Sequence, residues 1–245
     1  MKPDIVITGL DRSGTTLMHL LVRYGFFDVD ITDGEAAALE TDVVCAYPHL
    51  CSKKTYDLMK MEKIIDELNA KIIWMVRDPR DCIVSKAAMN DFRQYWQRPI
   101  DLEKKLGGVR TLFENGGLSC LDGSVCIVKF EHLLIDPDGV QDELSFFLSL
   151  DKALPFSKCH RRFCEAKMKD GGKYICKLNG IRPLDASTTS KWWHPEHDEM
   201  WEDIYDDESQ RNIILELTRL FNYEQDDKWF DRHIDGVMRR LEEEE

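Results

Sequence analysis

The stretch "IVITGLDRSGTTLM", residues 5–18, predicts a strand, a glycine turn and a helix in close succession. Its first three residues are apolar and β-branched, which is typical of a buried strand. From Leu17 to Tyr24, apolar residues recur at helical spacing. Gly9 and Gly14 stand between the two elements and let the backbone turn tightly. Because successive N–H groups at the start of a helix attract anions, the stretch predicts a phosphate- or sulfate-binding turn.

The turn departs from the phosphate-loop pattern G-x-x-x-x-G-K-[ST] at one position. Thr15 stands where that pattern has the lysine that reaches the terminal phosphates of a nucleotide. The nearest cation is Arg12, inside the loop, and Ser13 and Thr16 add hydroxyl groups. The turn therefore predicts an anion cradle without the full triphosphate and magnesium apparatus. The alternative is a turn whose glycines only close the packing of strand against helix.

Strands and helices alternate along the rest of the chain. The segments "KIIWMV" (71–76) and "SVCIVKF" (124–130) are short and apolar, and they predict buried parallel strands. Residues 56–68 and 209–221 carry apolar side chains at helical spacing. This alternation predicts an α/β fold, a central parallel sheet flanked by helices. Between residues 155 and 200 the periodicity weakens, and we expect a long, partly irregular excursion there.

Composition restricts the class of protein. The chain has 245 residues, 43% of them hydrophobic, and a net charge of -13. We expect one domain over residues 1–245 with an acidic tail at 242–245. The negative charge argues against a nucleic-acid coat. The start "MKPDIVITGL" lacks the pattern of a secretory signal, and we find no run of about 18 apolar residues, so we expect a cytoplasmic protein without a membrane span. Its eight cysteines form no tight framework and predict reduced thiols.

A second stretch, "VRDPRDCIVS" (76–85), predicts another anion site. Arg77 follows a predicted strand, and Ser85 comes eight positions later. Asp78 followed by proline is typical of a helix start, which would place Ser85 about two turns into that helix. An arginine at the carboxyl end of a strand, beside a helix start, is a natural anion ligand in an open α/β sheet. The alternative is a structural ion pair of Arg77 with Asp78 or Asp81.

Together the two stretches resemble the sulfotransferase family, whose donor is 3′-phosphoadenosine 5′-phosphosulfate (PAPS). "GLDRSGTTL" (9–17) resembles the family's loop for the 5′-phosphosulfate, and "VRDPRDCIVS" resembles its 3′-phosphate motif. The resemblance implies the P-loop NTPase-like sulfotransferase fold, PAPS as donor, 3′,5′-bisphosphoadenosine (PAP) as product and no required metal. It implies donor contacts from Arg12, Ser13, Gly14, Thr15, Thr16, Leu17, Arg77 and Ser85.

Later segments extend this resemblance over residues 4–224. "IVKFEHLLIDPDG" (127–139) is similar to a strand-then-helix stretch of the family, and "LFNYE" (220–224) to its closing helix end. "TTSKWW" (188–193) is similar to its late donor-binding loop, which implies donor contacts from Lys191 and Trp192.

Transfer of a sulfuryl group needs a base for the acceptor's proton and cations for the developing charge. Cytosolic members of the family carry Lys-Thr-His before the second motif, whereas "CSKKT" (51–55) has Lys53 at the lysine position and Thr55 in place of the histidine. Tyrosylprotein and carbohydrate sulfotransferases have patterns nearer to "DGE" (33–35) and "CSK" (51–53). That resemblance implies Glu35 as base, with Lys53 and Arg12 as cations at the sulfate.

Three alternatives remain for the assignments of Glu35 and Lys53. Glu35 could be a solvated carboxylate at a helix start, Lys53 an exposed lysine, and His49 the base in place of Glu35. The histidines of "HPEH" (194–197) could suggest zinc, but their irregular spacing and the intervening proline argue against a metal.

The leading hypothesis is an enzyme that moves a sulfuryl group in line from PAPS to a hydroxyl acceptor, which could be a glycan, lipid, small alcohol or tyrosine. One alternative is a catalytically degenerate PAPS- or PAP-binding protein, motivated by the missing histidine. The other is a P-loop nucleotide kinase, disfavoured by the missing lysine. We expect acceptor contacts from residues 90–118 and 155–200, and the sequence leaves the oligomeric state open.

Overall fold

A parallel five-stranded sheet forms the centre of the protein. The computed structural model describes residues 1–85, 99–114, 123–165, 184, 189–224, 226 and 228–244. The strands are β1 (Ile5–Gly9), β2 (Val29–Ile31), β3 (His49–Lys53), β4 (Lys71–Val76) and β5 (Val125–Lys129). Their order is β2-β3-β1-β4-β5, and each neighbouring pair is parallel. The α/β prediction is confirmed.

Helices connect the strands and follow the sheet. The α-helices are α1 (Thr15–Gly25), α2 (Met61–Leu68), α3 (Pro79–Ile83), α4 (Pro99–Glu114), α5 (Phe130–Ile135), α6 (Pro137–Leu148), α7 (Phe156–Cys159), α8 (Asp198–Asp206), α9 (Glu208–Leu220) and α10 (Lys228–Glu244). Short 3-10 helices occupy Ala38–Glu40, Thr55–Lys60, His160–Glu165 and Pro195–His197. Within the ranges given above, no helix has the length and apolar character needed to cross a bilayer.

The sheet has a hydrophobic core on each face, because alternate residues of a strand point to opposite sides. On one face, Val6 and Trp74 pack with residues of α2, α4, α8, α9 and α10. On the other, Ile7 and Met75 pack with residues of α1, α5, α6 and α7. The inner strands β1 and β4 are therefore covered by helices on both sides, which accounts for their almost continuous apolar sequences. The edge strand β5, predicted to be buried, is only partly buried, and its Ile127 is exposed.

Two local predictions differ from the structure, and one strand was not predicted. The segment 56–68 is not one helix, since the 3-10 helix Thr55–Lys60 precedes α2. Helix α3 begins as expected, with the Asp78 side chain accepting from the N–H of Arg80, but it ends at Ile83. Ser85 therefore lies just after a short helix, not two turns into a long one. The edge strand β2 was not predicted, because its sequence, Val-Asp-Ile, is too short to show a pattern.

The strand order creates a crevice at the carboxyl end of β1. The chain passes from β1 to the β2–β3 side of the sheet and then crosses to β4 on the other side of β1. Ligands of open α/β sheets bind at such a switch point. The residues that end or follow the three strands there are Gly9 of β1, Lys53 of β3 and Arg77 after β4. The candidate cations are thus brought to one edge.

Candidate functional site

The loop between β1 and α1 is held against its neighbours at both glycines. Gly14 adopts a left-handed φ of +94°, and a Cβ there would overlap the ring of Phe130. A Cβ at Gly9 would overlap the backbone carbonyl of Met75 in β4. The packing role that the sequence left as an alternative is therefore present. It does not compete with anion binding, since it fixes the direction in which the loop and the start of α1 point.

The start of α1 presents unused donors. Among the described residues, no side chain caps this helix, and its first turn carries no acidic residue to offset the helix dipole. The Ser13 hydroxyl is fully buried and has no hydrogen-bond partner within the same part of the chain. An unsatisfied buried polar group costs about 1–3 kcal/mol, so an anion that accepts from Ser13 and the α1 N–H groups would be favoured.

Arg12 joins this loop to the second motif. Its Nε donates to the hydroxyl of Ser85 at 3.0 Å, and Nη1 of Arg77 donates to the Arg12 carbonyl, also at 3.0 Å. Burial and the nearby charge of Arg77 lower the pKa of Arg12. The Arg77 guanidinium lies 4.7 Å from the ring centroid of Phe130. Two like charges and a hydroxyl therefore meet at one end of the crevice, an arrangement that a bound anion would stabilise.

Lys53 and Glu35 form a second pair of charges at the crevice. The Lys53 ammonium donates to the Thr16 hydroxyl at 3.0 Å and to Oε1 of Glu35 at 3.1 Å. The Lys53 side chain is only 6% exposed, so the alternative of an exposed lysine is wrong. The Glu35 side chain is 52% exposed and stays open to solvent. A buried cation and an accessible carboxylate thus lie beside the loop between β1 and α1, which we call the anion loop.

The histidines near this segment take other places. His49 opens β3, at the opposite end of that strand from Lys53, and its Nδ1 lies 2.6 Å from a carboxylate oxygen of Asp4. The position of His49 argues against it as the alternative base, because it lies at the opposite end of the sheet from Lys53 and Glu35. His19 of α1 is buried, with Nε2 3.2 Å from the carbonyl of Cys51. Burial, with a smaller effect of the Lys53 charge, lowers the pKa of His19 to about 4.

The two late-loop residues are placed differently from each other. The side chain of Lys191 is exposed, whereas the ring of Trp192 packs in an aromatic cluster. The guanidinium of Arg80 lies 4.2 Å from the Trp192 ring centroid, and Trp201 and Trp229 pack edge-on against the same ring. These contacts are those of a packing residue, and a donor contact for Trp192 stays a prediction.

The contacts of Arg77 test whether it forms a structural ion pair with Asp78 or Asp81. Its Nη2 lies 3.8 Å from Asp81, while Asp78 pairs with Arg80. Arg77 therefore forms the ion pair with Asp81 that the structural interpretation predicts, and it also contacts the loop between β1 and α1. Anion binding by Arg77 stays a prediction. Leu17 is partly buried against the core on the α1 face of the sheet.

Four contacts at the site were not predicted from the sequence. Buried Lys105 of α4 forms an ion pair with Asp11 of the loop. The hydroxyl of Tyr223 donates to Glu131 at 2.6 Å, and Glu131 also accepts from the N–H of Asp78. The carboxylate of Asp81 accepts from the late loop. The charge of each residue is visible in the sequence, but its partner is not.

Two predictions concern regions that the structure describes only in part. The part of the chain that it does describe holds no group of three or more His, Cys, Asp or Glu arranged for a metal ion. The expected acceptor segments, 90–118 and 155–200, include residues 90–98, 115–118, 166–183 and 185–188, which lie outside the described residues. The acceptor contacts stay a prediction.

Comparison with known proteins places these motifs in one family. The sequence model described as "Sulfotransferase domain" matches residues 2–191. The sulfotransferase domain of the Synechococcus PCC 7002 olefin synthase superposes with a TM-score of 0.59 and 15% identity, over 91% of this chain and 95% of that one. A sulfotransferase domain from the curacin biosynthetic pathway gives 0.58 and 15%, over 91% and 99%.

At this identity the two structures show a shared fold, which agrees with the sheet described above. Comparison with curated protein sequences gives no significant match. The family match covers both anion motifs, Lys53 and Glu35, and it ends at Lys191 in the late loop. One domain over residues 1–245 stays a prediction. The chain belongs to the sulfotransferase domain family.

Proposed function

We propose that the protein is an enzyme that transfers a sulfuryl group from PAPS to a hydroxyl acceptor. The observation that carries this proposal is the position of the Lys53 ammonium, between the Thr16 hydroxyl of the anion loop and the Glu35 carboxylate. One buried cation thus connects the place where a sulfate would bind with a group that can accept a proton. A protein that only bound the nucleotide would not need that connection.

The residues present fit a bisphosphorylated donor. The Ser13 hydroxyl and the start of α1 form one anion site, and Arg77 with Ser85 forms another, with Arg12 between them. PAPS, when bound, would supply the activated sulfuryl group and leave as PAP. Gly14, Thr15 and Thr16 would contact the 5′-phosphosulfate through the loop and the first turn of α1. Leu17, Lys191 and Trp192 complete the proposed donor contacts.

The proposed roles follow from charge and exposure. Glu35 accepts the proton of the acceptor hydroxyl at a carboxylate oxygen, because that carboxylate lies beside the Lys53 ammonium and is open to solvent. Lys53 and Arg12 offset the negative charge that develops during transfer, in a buried site where such charge stabilisation is strong. No metal ion is assigned a role.

Two other functions are less well supported. A degenerate PAP-binding protein is suggested by Thr55, which is buried at the position of the family's histidine. The pairing of Glu35 with Lys53 weakens that suggestion because it offers another base. A nucleotide kinase would need a cation at the position of Thr15, and Thr15 is a buried threonine.

The test is PAP formation from PAPS with a panel of hydroxyl acceptors: glycans, lipids, small alcohols and tyrosine peptides. The wild-type protein should turn over with at least one acceptor class. Glu35→Gln should lower the turnover number by about 100-fold or more, as loss of a general base does, while PAP still binds. Glu40→Gln is the matched control, because Glu40 is an exposed carboxylate five residues away. Equal turnover of wild type and Glu35→Gln would refute the assignment of the base.

A further inference from the structure

One carboxylate joins the second anion motif to the late loop. Oδ2 of Asp81, in α3, accepts from the N–H of Ser190 at 2.6 Å. Oδ1 accepts from the N–H of Lys191 at 2.7 Å and of Trp192 at 3.2 Å. The Asp81 side chain is 1% exposed. Three consecutive backbone donors of a loop more than 100 residues away therefore converge on a single buried carboxylate.

The same carboxylate contacts the arginine of the motif. Oδ2 of Asp81, the atom that accepts from Ser190, lies 3.8 Å from Nη2 of Arg77. Arg77 in turn donates to the backbone carbonyl of Arg12 in the loop between β1 and α1. A continuous series of contacts thus runs from the late loop through Asp81 and Arg77 to the loop between β1 and α1. A shift of the late loop would change the surroundings of Arg77.

Helix α3 also holds the late loop through a side chain. Arg80, one residue before Asp81, stacks on the ring of Trp192. Helix α3 therefore holds both the backbone of residues 190–192 and the ring of Trp192. The exposed side chain of Lys191 extends from this fixed backbone. Ordering such a segment before a ligand arrives removes an entropic cost from binding.

We propose that Asp81 is a positioning residue: it fixes residues 190–192 against Arg77 and thereby sets the affinity of the protein for the 3′-phosphate of the donor. This inference rests on the proposed function. The expected change in PAP affinity is opposite to the one that charge alone predicts. A negative charge beside Arg77 opposes the binding of a phosphate, so if charge alone mattered, removing it would tighten binding. If positioning dominates, removing it weakens binding.

The experiment compares wild type with Asp81→Asn, which keeps the size of the side chain but removes its charge and turns an amide NH2 group, itself a donor, towards backbone donors. Amide hydrogen exchange is measured at residues 190–192 without ligand, and the PAP affinity is measured by calorimetry. We expect exchange at least about tenfold faster and PAP binding about tenfold weaker in the variant, as for loss of hydrogen bonds to a charged group.

Asp57→Asn is the matched control. Asp57 is also 1% exposed, and its carboxylate accepts from the backbone N–H of Ala38 at 3.0 Å, away from the late loop. The control should change neither exchange at residues 190–192 nor the affinity for PAP. A second measurement needs no variant. Since coupling is reciprocal, saturating PAP should slow exchange at residues 190–192 in the wild-type protein.

The outcomes separate this proposal from the proposed function. Unchanged exchange at residues 190–192 in Asp81→Asn would overturn the proposal that Asp81 fixes these residues. Faster exchange with equal or tighter PAP binding would overturn the coupling, and so would a wild-type loop whose exchange PAP leaves unchanged. A wild-type protein that binds no PAP would overturn the proposed donor, and the coupling with it. The ligand-free exchange data would still report whether Asp81 holds the loop.

Discussion

Lys53, at the end of β3, donates from its ammonium to the hydroxyl of Thr16, 3.0 Å away, at the start of α1. The sheet register produces this contact, because Lys53 lies opposite Ile7 near the end of β1. A lysine from the neighbouring strand therefore reaches the start of α1, although the loop itself has Thr15 at its lysine position. Since the same ammonium also pairs with Glu35, its loss should affect both the anion loop and the proposed base.

Lys53→Met should lower the turnover of PAPS by about 100-fold or more, as does removal of one group that stabilises charge in a transition state. Steady-state PAP formation with an acceptor found in the panel measures this. Lys60→Met is the control, because Lys60 is an exposed lysine at the end of the next 3-10 helix. A turnover number equal to that of wild type would contradict the role given to Lys53.

Arg77→Ala should weaken PAP binding by about 30- to 150-fold, the equivalent of about 2–3 kcal/mol for charge-assisted hydrogen bonds. Arg77→Lys should recover little of this, since an ammonium cannot reproduce the planar fork of a guanidinium. Calorimetric titration with PAP measures both variants. Arg110→Ala serves as control, because Arg110 forms a surface ion pair with Glu216. If Arg77→Ala and Arg110→Ala bound PAP equally well, the 3′-phosphate site would lie elsewhere.

Gly14→Ala should destabilise the protein through two separate effects. The left-handed φ of +94° opposes any side chain, and the new Cβ would overlap the Phe130 ring. Gly34→Ala isolates the first effect, since Gly34 has a φ of +64° and a Cβ there would meet no described atom within 4 Å. We expect a loss of about 1 kcal/mol at Gly34 and about 2–4 kcal/mol at Gly14, measured by urea unfolding. Equal losses would mean that the Phe130 contact is unimportant.

The stability of the protein should depend on pH through His19. Burial lowers the pKa of His19 from 6.5 to about 4 in the folded state, so the unfolded chain binds the proton more readily. The stabilisation linked to neutral His19 is complete above pH 6.5 and is lost as the pH falls towards 4, a difference of about 3 kcal/mol. His19→Gln should flatten this part of the pH profile of the unfolding free energy. His233, whose pKa burial also lowers to about 4, contributes a slope of the same sign in both proteins.

The segments that could be predicted from the sequence are those with strong local patterns. β1, the glycine turn and α1 follow from an apolar run, two glycines and a helical repeat, and β4 was predicted with its observed bounds. The strand β2 could not be predicted, since three residues carry no periodicity and it exists only because it pairs with β3. Ser85 was misplaced because the apolar residues before it, 82–84, were interpreted as part of a continuing helix. These residues are buried in the core, and α3 ends at Ile83.

Some residues of the candidate site could also be predicted from the sequence, whereas their long-range partners could not. The motif residues Arg12, Arg77 and Ser85 were indicated by the resemblance of their two stretches to the sulfotransferase motifs, and the structure brings all three together. The partners of Asp81 and Lys105 could not be found, because they lie 109 to 111 and 94 residues away in the chain. Long-range contacts of this kind depend on the topology of the sheet, which places the ends of β1, β3 and β4 at one edge.

The most direct test of the account is the melting temperature of the protein with PAP, compared with ADP and with magnesium ATP. A ligand at 100 times its dissociation constant stabilises a protein by about 2.7 kcal/mol, which corresponds to a rise of about 5–10 °C for a chain of this length. We expect this rise with PAP and none with ADP or magnesium ATP. A rise only with magnesium ATP would contradict it, because Arg77 and Ser85 would then not form a 3′-phosphate site.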